Sequence, residues 1–501
     1  MKKIVDIVLV AAMLAMSVPA LSEGGSAPPP PPPGAGQGQP PEMPGEGRGT
    51  PPDMPGEGRG TPPDRPGGMG TQEPESREAV YTFETDAAVD GETVESDGDD
   101  ENAILITGGT VTVTDSEITR DSDSSSGGDA ASFYGVGAAI LVTGGTAEIS
   151  GCVIGTDAAG GAGVFAYGDG TAYVSDTEIT TQEGASGGIH VAGGGRLKAA
   201  GLIVETYGGS SAAIRSDRGG GTMLVDGGSY ISHGSGSPAV YVTADISVRD
   251  ASLTATGAEA LCLEGRNSVC LYDCVLSGDM PEDSRNDNTW TVIVYQSMSG
   301  DAAVGQGCFV MDGGTLESKN GGLFYTTNTE SRFVIRGVEI AASDNCAYFL
   351  RVTGNANERG WGQTGRNGAD CVFTAIDQEM NGDVICDSVS NLSLYLTGET
   401  VWTGAVVHDE SCAGEGGSGT SEIVVGEDAV WVLTADSAVT SLQCSGEIVD
   451  EEGLTVTVLG ADGTVYVEGE GGRTVTVQNY RDEADLTAAG SVEAWEESET
   501  F

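Results

Sequence analysis

Histidine, aromatic residues and positive charge are all scarce in this chain. Three histidines in 501 residues leave little material for imidazole-based acid–base chemistry or metal binding. Aromatics are 6%, too few for a thick core of large side chains. Lys and Arg total 22 against 76 Asp and Glu, a net charge of −54. That field repels nucleic acid and anionic lipid and excludes both as partners. It attracts divalent cations. No cofactor is required, but calcium is the ion such a chain would recruit. Long apolar runs are also missing. The one candidate, Ile7–Met16, is short for a membrane span, so no stable span is expected once a leader is removed.

The ten cysteines are Cys152, Cys262, Cys270, Cys274, Cys308, Cys346, Cys371, Cys386, Cys412 and Cys444. None forms a C-x-x-C pair, and no histidine lies near the Cys262–Cys274 cluster, which argues against zinc. One or two disulfides are expected in an exported chain, with the other thiols buried as small core residues.

Glycine, in contrast, is plentiful at 79 residues, about twice ordinary usage. The N-terminus reads as a secretory signal over 1–22. Lys2 and Lys3 precede the apolar run, and Ala20 and Ser22 sit at −3 and −1 of a cut after Ser22. The predicted location is extracellular or at the cell surface. Residues 23–78 form a Pro/Gly-rich linker. It opens with Pro28–Pro33, followed by "PPEMPGEGRGT", "PPDMPGEGRGT" and "PPDRPGGMGT". With nothing apolar to bury, this stretch is expected to be a disordered spacer.

From Ala79 the chain alternates with period 2. Ile104 and Ile106, Val111 and Val113, then Ile118 fall on one face, and Ile140, Val142, Ala147, Ile149 and Ile154 repeat the pattern. Phe165 and Tyr167, with Ala172, Val174 and Ile179, are read into the same places. The closing apolar position recurs at Ile118, Ile154, Ile179, Ile203, Ile231, Leu253, Leu276, Leu316 and Ile340, at intervals mostly of 22 to 28 residues. Gly-Gly, Gly-Asp-Gly and Asp-x-x fill the gaps as turns. Two or three short strands per repeat cannot bury their own inner face, but stacked repeats can. The predicted fold is all-β, a parallel β-helix, with the main solenoid over 79–370. A continuation and cap follow over 371–480, and then an acidic, frayed tail over 481–501. Arg120–Gly135, Gly278–Trp290 and Arg351–Asp370 interrupt the repeat and are expected to be side loops.

The "GGTVTV" repeats, "WGQTGRNGAD" at 361–370, "MNGDVICDSVSNLSLYL" at 380–396 and "VWVLTADSAVTSL" at 430–442 carry a resemblance. The chain resembles the pectate-lyase-like right-handed parallel β-helix superfamily. Within it, it is most similar to clostridial adhesin-like and carbohydrate-binding β-helix surface proteins. The resemblance covers about residues 100–480 and implies a right-handed coil. It also implies binding rather than catalysis, although the superfamily includes lyases and hydrolases. Some such proteins bind acidic polysaccharide with calcium. The catalytic segments that the hydrolases carry, an "NTD", a "GHG" and an "RIK", are absent here, and "SHGSG" at 232–236 lies far from Asp99–Asp100.

Three sets of residues stand out as candidates. His190 lies between Ile189 and Val191 and should point outward as a solvated histidine. Asp250 and Asp273 fall one repeat apart, where like charges about 4.8 Å apart would repel unless a cation such as calcium or a guanidinium intervened. The loop after Arg351 gathers Asn355, Asn357, Glu358, Arg359, Trp361, Gln363, Arg366 and Asn367. An aromatic face with amides and arginines suits a sugar ring and its hydroxyls, and the same set could equally plug a change of shape in the solenoid. The expected function is a secreted or surface β-helix, non-catalytic, that is adhesin-like or glycan-binding. Its partner would be a polysaccharide, a cell-surface glycan or another surface protein. A calcium-dependent polysaccharide lyase and a passive structural solenoid are the alternatives.

Overall fold

The computed structural model describes residues 72–495. The predicted signal peptide and linker residues 23–71 lie outside the described residues. From Ala79 the chain coils so that each turn of the solenoid gives a strand to each of three parallel sheets. Sheet A has 13 strands, from Ala79–Phe83 to Val406–His408. Sheet B starts at Ala87–Asp90 and ends in an antiparallel hairpin, Thr457–Gly460 with Val465–Val467. Sheet C has 10 strands and stops at Glu339–Ala342. The third side then resumes as a separate 4-stranded sheet from Glu379–Asn381 to Glu447–Asp450. The protein is a parallel β-helix.

Period-2 alternation drives this arrangement. Ile104 and Ile106 (sheet A), Val111 and Val113 (sheet B) and Ile118 (sheet C) are all fully buried. They sit in register on Ile140 and Val142, Ala147 and Ile149, and Ile154 of the next coil. Where two adjacent residues are both apolar, alternation has two possible phases, and the neighbouring coil selects one. In sheet A, Val164 and Ala166 therefore point inward, stacked between Ile140 and Ile189, while Phe165 and Tyr167 point outward. Sheet C shows the same one-residue slip. Val204 and Tyr230 are buried, and Ile203 is 53% exposed.

The core changes composition along the axis. Small and β-branched residues fill the first coils. Phe309, Phe324, Phe333, Phe349 and Phe373 then cluster with centroids 5.3–5.9 Å apart. Trp402 and Trp431 follow, stacked at 4.7 Å and 10°. Their indole N–H groups donate to Gly382 O and Gly404 O, both at 2.9 Å, so neither buried donor is left unpaired.

The corner between sheets B and C is tight and uniform. Gly91, Asp115, Gly151, Asp176, Gly201, Gly227, Asp250, Asp273, Gly313, Gly337, Asp377 and Gly398 occupy it in successive coils, all with φ between +46° and +68°. Only Gly adopts this left-handed conformation freely, with Asp and Asn next. The geometry lets these N–H groups, from Gly91 through Asp377, continue the ladder, as Asp250 N–H does to Tyr272 O (3.0 Å) and Gly313 N–H to Arg336 O (2.8 Å).

Two expectations are corrected here. All ten cysteines are free, so the one or two expected disulfides are not formed. Four of the thiols, those of Cys152, Cys274, Cys346 and Cys444, lie against backbone carbonyls, as Cys152 does against Val113 O and Cys274 against Val248 O. The described part of the acidic tail is not frayed. It returns along the outer face of sheet B, where Gly490 N–H donates to Thr374 Oγ1 at 2.8 Å in a buried contact.

Candidate functional site

Among the described residues, the long excursions leave the solenoid only at the two corners that flank sheet A. Residues 123–139, with the short helix Gly128–Tyr134, and residues 280–289 lie at the C-to-A corner. Residues 296–305, 353–369 and 409–420 lie at the A-to-B corner. The stacked left-handed residues of the B-to-C corner leave no room for an insertion until past Gly398. The outer face of sheet A is therefore a floor with walls on both sides.

Parallel register places Phe165, His190, Arg215, Tyr241, Cys262, Ile293, Tyr325 and Arg351 in one outward row on that floor. His190 belongs to this row, but it is 1% exposed, so the expected solvated histidine is a buried one. It lies in the row between Phe165 and Arg215, and Arg215 is in turn tied to the helix at Ser132. Its ring stacks on Phe165 at 4.0 Å, with Nε2 2.9 Å from Asp217 Oδ2. Burial pushes its pKa down to about 4 against the pull of Asp217. Burial alone would raise Asp217, but Arg215 and His190 more than offset it and leave the carboxyl below its usual range.

Arg215 joins floor to wall. Its Nε donates to Asp217 Oδ2 (2.7 Å), Nη1 to Ser210 O (2.8 Å) and Nη2 to Ser132 Oγ of the helix (2.9 Å). Arg218 covers the Phe133 ring at 4.1 Å and pairs with Asp301 of the opposite wall at 2.8 Å. One coil row further on, the hydroxyls of Tyr241 and Tyr295 donate to Glu264 Oε2 at 3.0 Å each, and Ser297 donates to Oε1. Burial raises the Glu264 pKa against these bonds. Between the walls lies a hollow of about 330 Å³ lined by Ser132, Phe133, Arg215, Asp217, Tyr241 and Asp301. Ligand cavities begin at about 300 Å³. Sequence reasoning passed over these residues. The available signal was "IRSDR" at 214–218, a charge cluster at an outward sheet position in a chain with few cations.

The Trp361 loop lies further along the same floor. Arg351 is buried, with Nη2 on Asp409 (2.6 Å) and Nε on Thr353 Oγ1 (3.1 Å). Asn355 and Asn367 are buried as well. Asn367 Nδ2 donates to Asn355 O (3.0 Å) and Trp361 O (2.9 Å), and Asn355 Nδ2 donates to Thr327 Oγ1 (2.9 Å). Trp361 is half-buried, 4.5 Å from Tyr295 and 6.1 Å from Trp290. Arg359 pairs with Asp283 at 3.2 Å and with Asn286. Asn357, Glu358, Gln363 and Arg366 are exposed. The gap beneath the loop is about 10 Å³, room for at most about one water. The loop thus divides into a buried amide frame and an exposed polar rim.

Asp250 and Asp273 sit in the B-to-C corner at φ +52° and +49°. Arg249 pairs with Asp226, at 2.5 Å, in the coil before. Among the described residues, no group of three or more His, Cys, Asp and Glu is placed to hold a metal ion.

A second hollow, of about 340 Å³, lies where sheet A ends and includes Cys386 and His408. His408 Nε2 lies 2.9 Å from Ala438 O, which leaves Nδ1 as the acceptor facing Cys386 Sγ at 3.7 Å. Burial pushes the thiol up to about 12, so it is a neutral donor rather than a thiolate.

The architecture defines the class, a parallel β-helix with one walled sheet face. No protein-family model matches the chain, and no curated protein matches it.

Proposed function

We propose that this protein is a secreted or cell-surface β-helix that binds a polysaccharide or cell-surface glycan on the outer face of sheet A, without catalysis. The observation that carries this reading is the confinement of the long excursions to the two corners beside that face. A passive solenoid has no need to wall one face. The hollow offers aromatic and apolar surface (Phe133, Tyr241) beside fixed polar groups (Ser132, Arg215, Asp217, Asp301), the combination that orients a sugar ring. The pectate-lyase-like resemblance supports an extended carbohydrate lying across the coils.

Binding is favoured over reaction because the ionisable groups of the floor are committed to one another. A lyase needs a free Arg or Lys facing its substrate, and the Arg215 guanidinium is held by Asp217, Ser210 and Ser132. His190, held near a pKa of 4, is neutral at ordinary pH but faces Asp217 rather than the hollow. The net charge of −54 favours neutral glycans, and acidic ones only with calcium as a bridge.

A glycan array probed with and without calcium tests the proposal, with product release followed on any glycan that binds. Binding without cleavage is expected. Absence of binding in both conditions refutes the glycan reading, and unsaturated products would move the assignment to a lyase.

A further inference from the structure

We infer that the outer face of sheet B is a docking track for a tryptophan-bearing peptide, and that the chain's own segment Ala484–Trp495 occupies it. The segment runs across the strands. Ala484 N–H donates to Ser445 Oγ (2.8 Å) and Asp485 N–H to Gln443 Oε1 (2.9 Å), in the coil of strand Ser437–Cys444. Arg332 Nη2 donates to Ala489 O (3.4 Å), and Gly490 N–H to Thr374 Oγ1 (2.8 Å). Trp495 ends the run edge-on to Tyr272 (5.6 Å), beneath the Arg249 guanidinium (4.9 Å), on strands Ser268–Tyr272 and Asp245–Arg249. At about 4.8 Å per strand this path is roughly 34 Å long. The backbone crosses it with one hydrogen-bonded turn, Ala489 N–H donating to Leu486 O at 3.1 Å, and no regular secondary structure.

The track is built for such an occupant. Outward positions of sheet B are mostly Thr, Ser or charged in the first coils, with Tyr173 and Leu224 among the exceptions. Under the segment they become Val310, Val334, Thr374, Tyr395 and Val424, each no more than 8% exposed. A chain with only 22 cations also places Arg249, Arg332 and Arg336 on this face, beside an acidic segment that carries Glu493. Gly490 is the fitted point, because a Cβ there would overlap Val334 Cγ2. Tethering keeps the local concentration of the segment high, so a free peptide cannot displace it readily. Once released, the track would accept the same segment from a second copy.

The full-length chain tests this through Trp495→Ala and Gly490→Val, which alter the occupant and leave the solenoid intact. The first readout is residue-resolved thiol labelling. Cys270 lies on the track beside Tyr272, whereas Cys346 lies in the turn after sheet C. Losing the aromatic and cation–π contacts of Trp495 should speed Cys270 labelling about tenfold, with Cys346 unchanged. The second readout is anisotropy of a fluorescein-labelled peptide of residues 482–501, which should bind both variants and not the wild type. Unchanged Cys270 labelling in both variants overturns the docking. Faster labelling without peptide binding overturns the track and leaves only a cover.

Discussion

Replacing Gly313 by Ala tests why glycine follows four of the five aspartates at the B-to-C corner. Gly313 has φ +66°, and a Cβ there would fall closer to Asp273 Oδ1 of the preceding coil than real Cβ atoms approach. Gly337, in the next coil, has φ +55° and nothing within 4 Å of the same position. Gly337→Ala therefore incurs only the left-handed backbone cost, about 1–2 kcal/mol. Gly313→Ala adds the overlap, about 1 kcal/mol more, because the carboxylate can swing aside at the expense of its rotamer. Asp273→Gly removes the carboxylate while keeping a residue at ease at φ +49°. In that background Gly313→Ala should cost no more than Gly337→Ala. Urea unfolding followed by tryptophan fluorescence gives the midpoints, compared at unchanged slope. Equal costs for the two alanine variants, or no relief from Asp273→Gly, would refute the steric account. If the corner aspartates instead held calcium, Asp273→Gly would destabilise, and calcium would raise the wild-type midpoint.

The buried His190 makes the helix wall acid-sensitive. Its folded pKa lies near 4, below the unfolded value of about 6.5, so the unfolded chain binds more protons between them. Stability is full above about pH 6.5 and falls as the pH drops toward 4, by about 3 kcal/mol at most. Urea midpoints at pH 7 and 4.5 should converge in His190→Phe, whose ring can keep the stack on Phe165. Trp402→Ala should cost about 3–5 kcal/mol, since it opens the indole stack and removes the donor to Gly382 O. Alkylation of the denatured, unreduced protein should modify all ten cysteines, and the mass added is the check.

The coil was legible because its signal is additive. "TGGTVTVTDSEIT" at 107–119 has a clear phase at Val111, Val113 and Ile118, and register carries that phase into the next coil. Where adjacent residues were both apolar, as at Val164–Phe165 or Ile203–Val204, one strand could not fix its own phase. The neighbouring ladder fixed it, and that ladder is not visible within a single repeat. The corner aspartates were legible as turn residues. The placing of glycine after four of those five aspartates was not, because it depends on which side chain lies over which Cα one coil later.

The candidate floor was hidden for a related reason. His190, Arg215 and Tyr241 are separated by about one repeat each and come together only through stacking, while Ser132 and Asp301 reach them from excursions on opposite sides. A solvated histidine was the sound reading of an outward position on a bare solenoid, but His190 is buried, with Phe165, Arg215 and Asp217 around it. The tail shows the same dependence. "SVEAWEESET" reads as acidic and unstructured, yet four of five successive outward residues of sheet B, Val310, Val334, Tyr395 and Val424 around Thr374, are valine or tyrosine. An outward apolar run in a solenoid is a demand for cover. In this chain the acidic, tryptophan-bearing segment Ala484–Trp495 meets it.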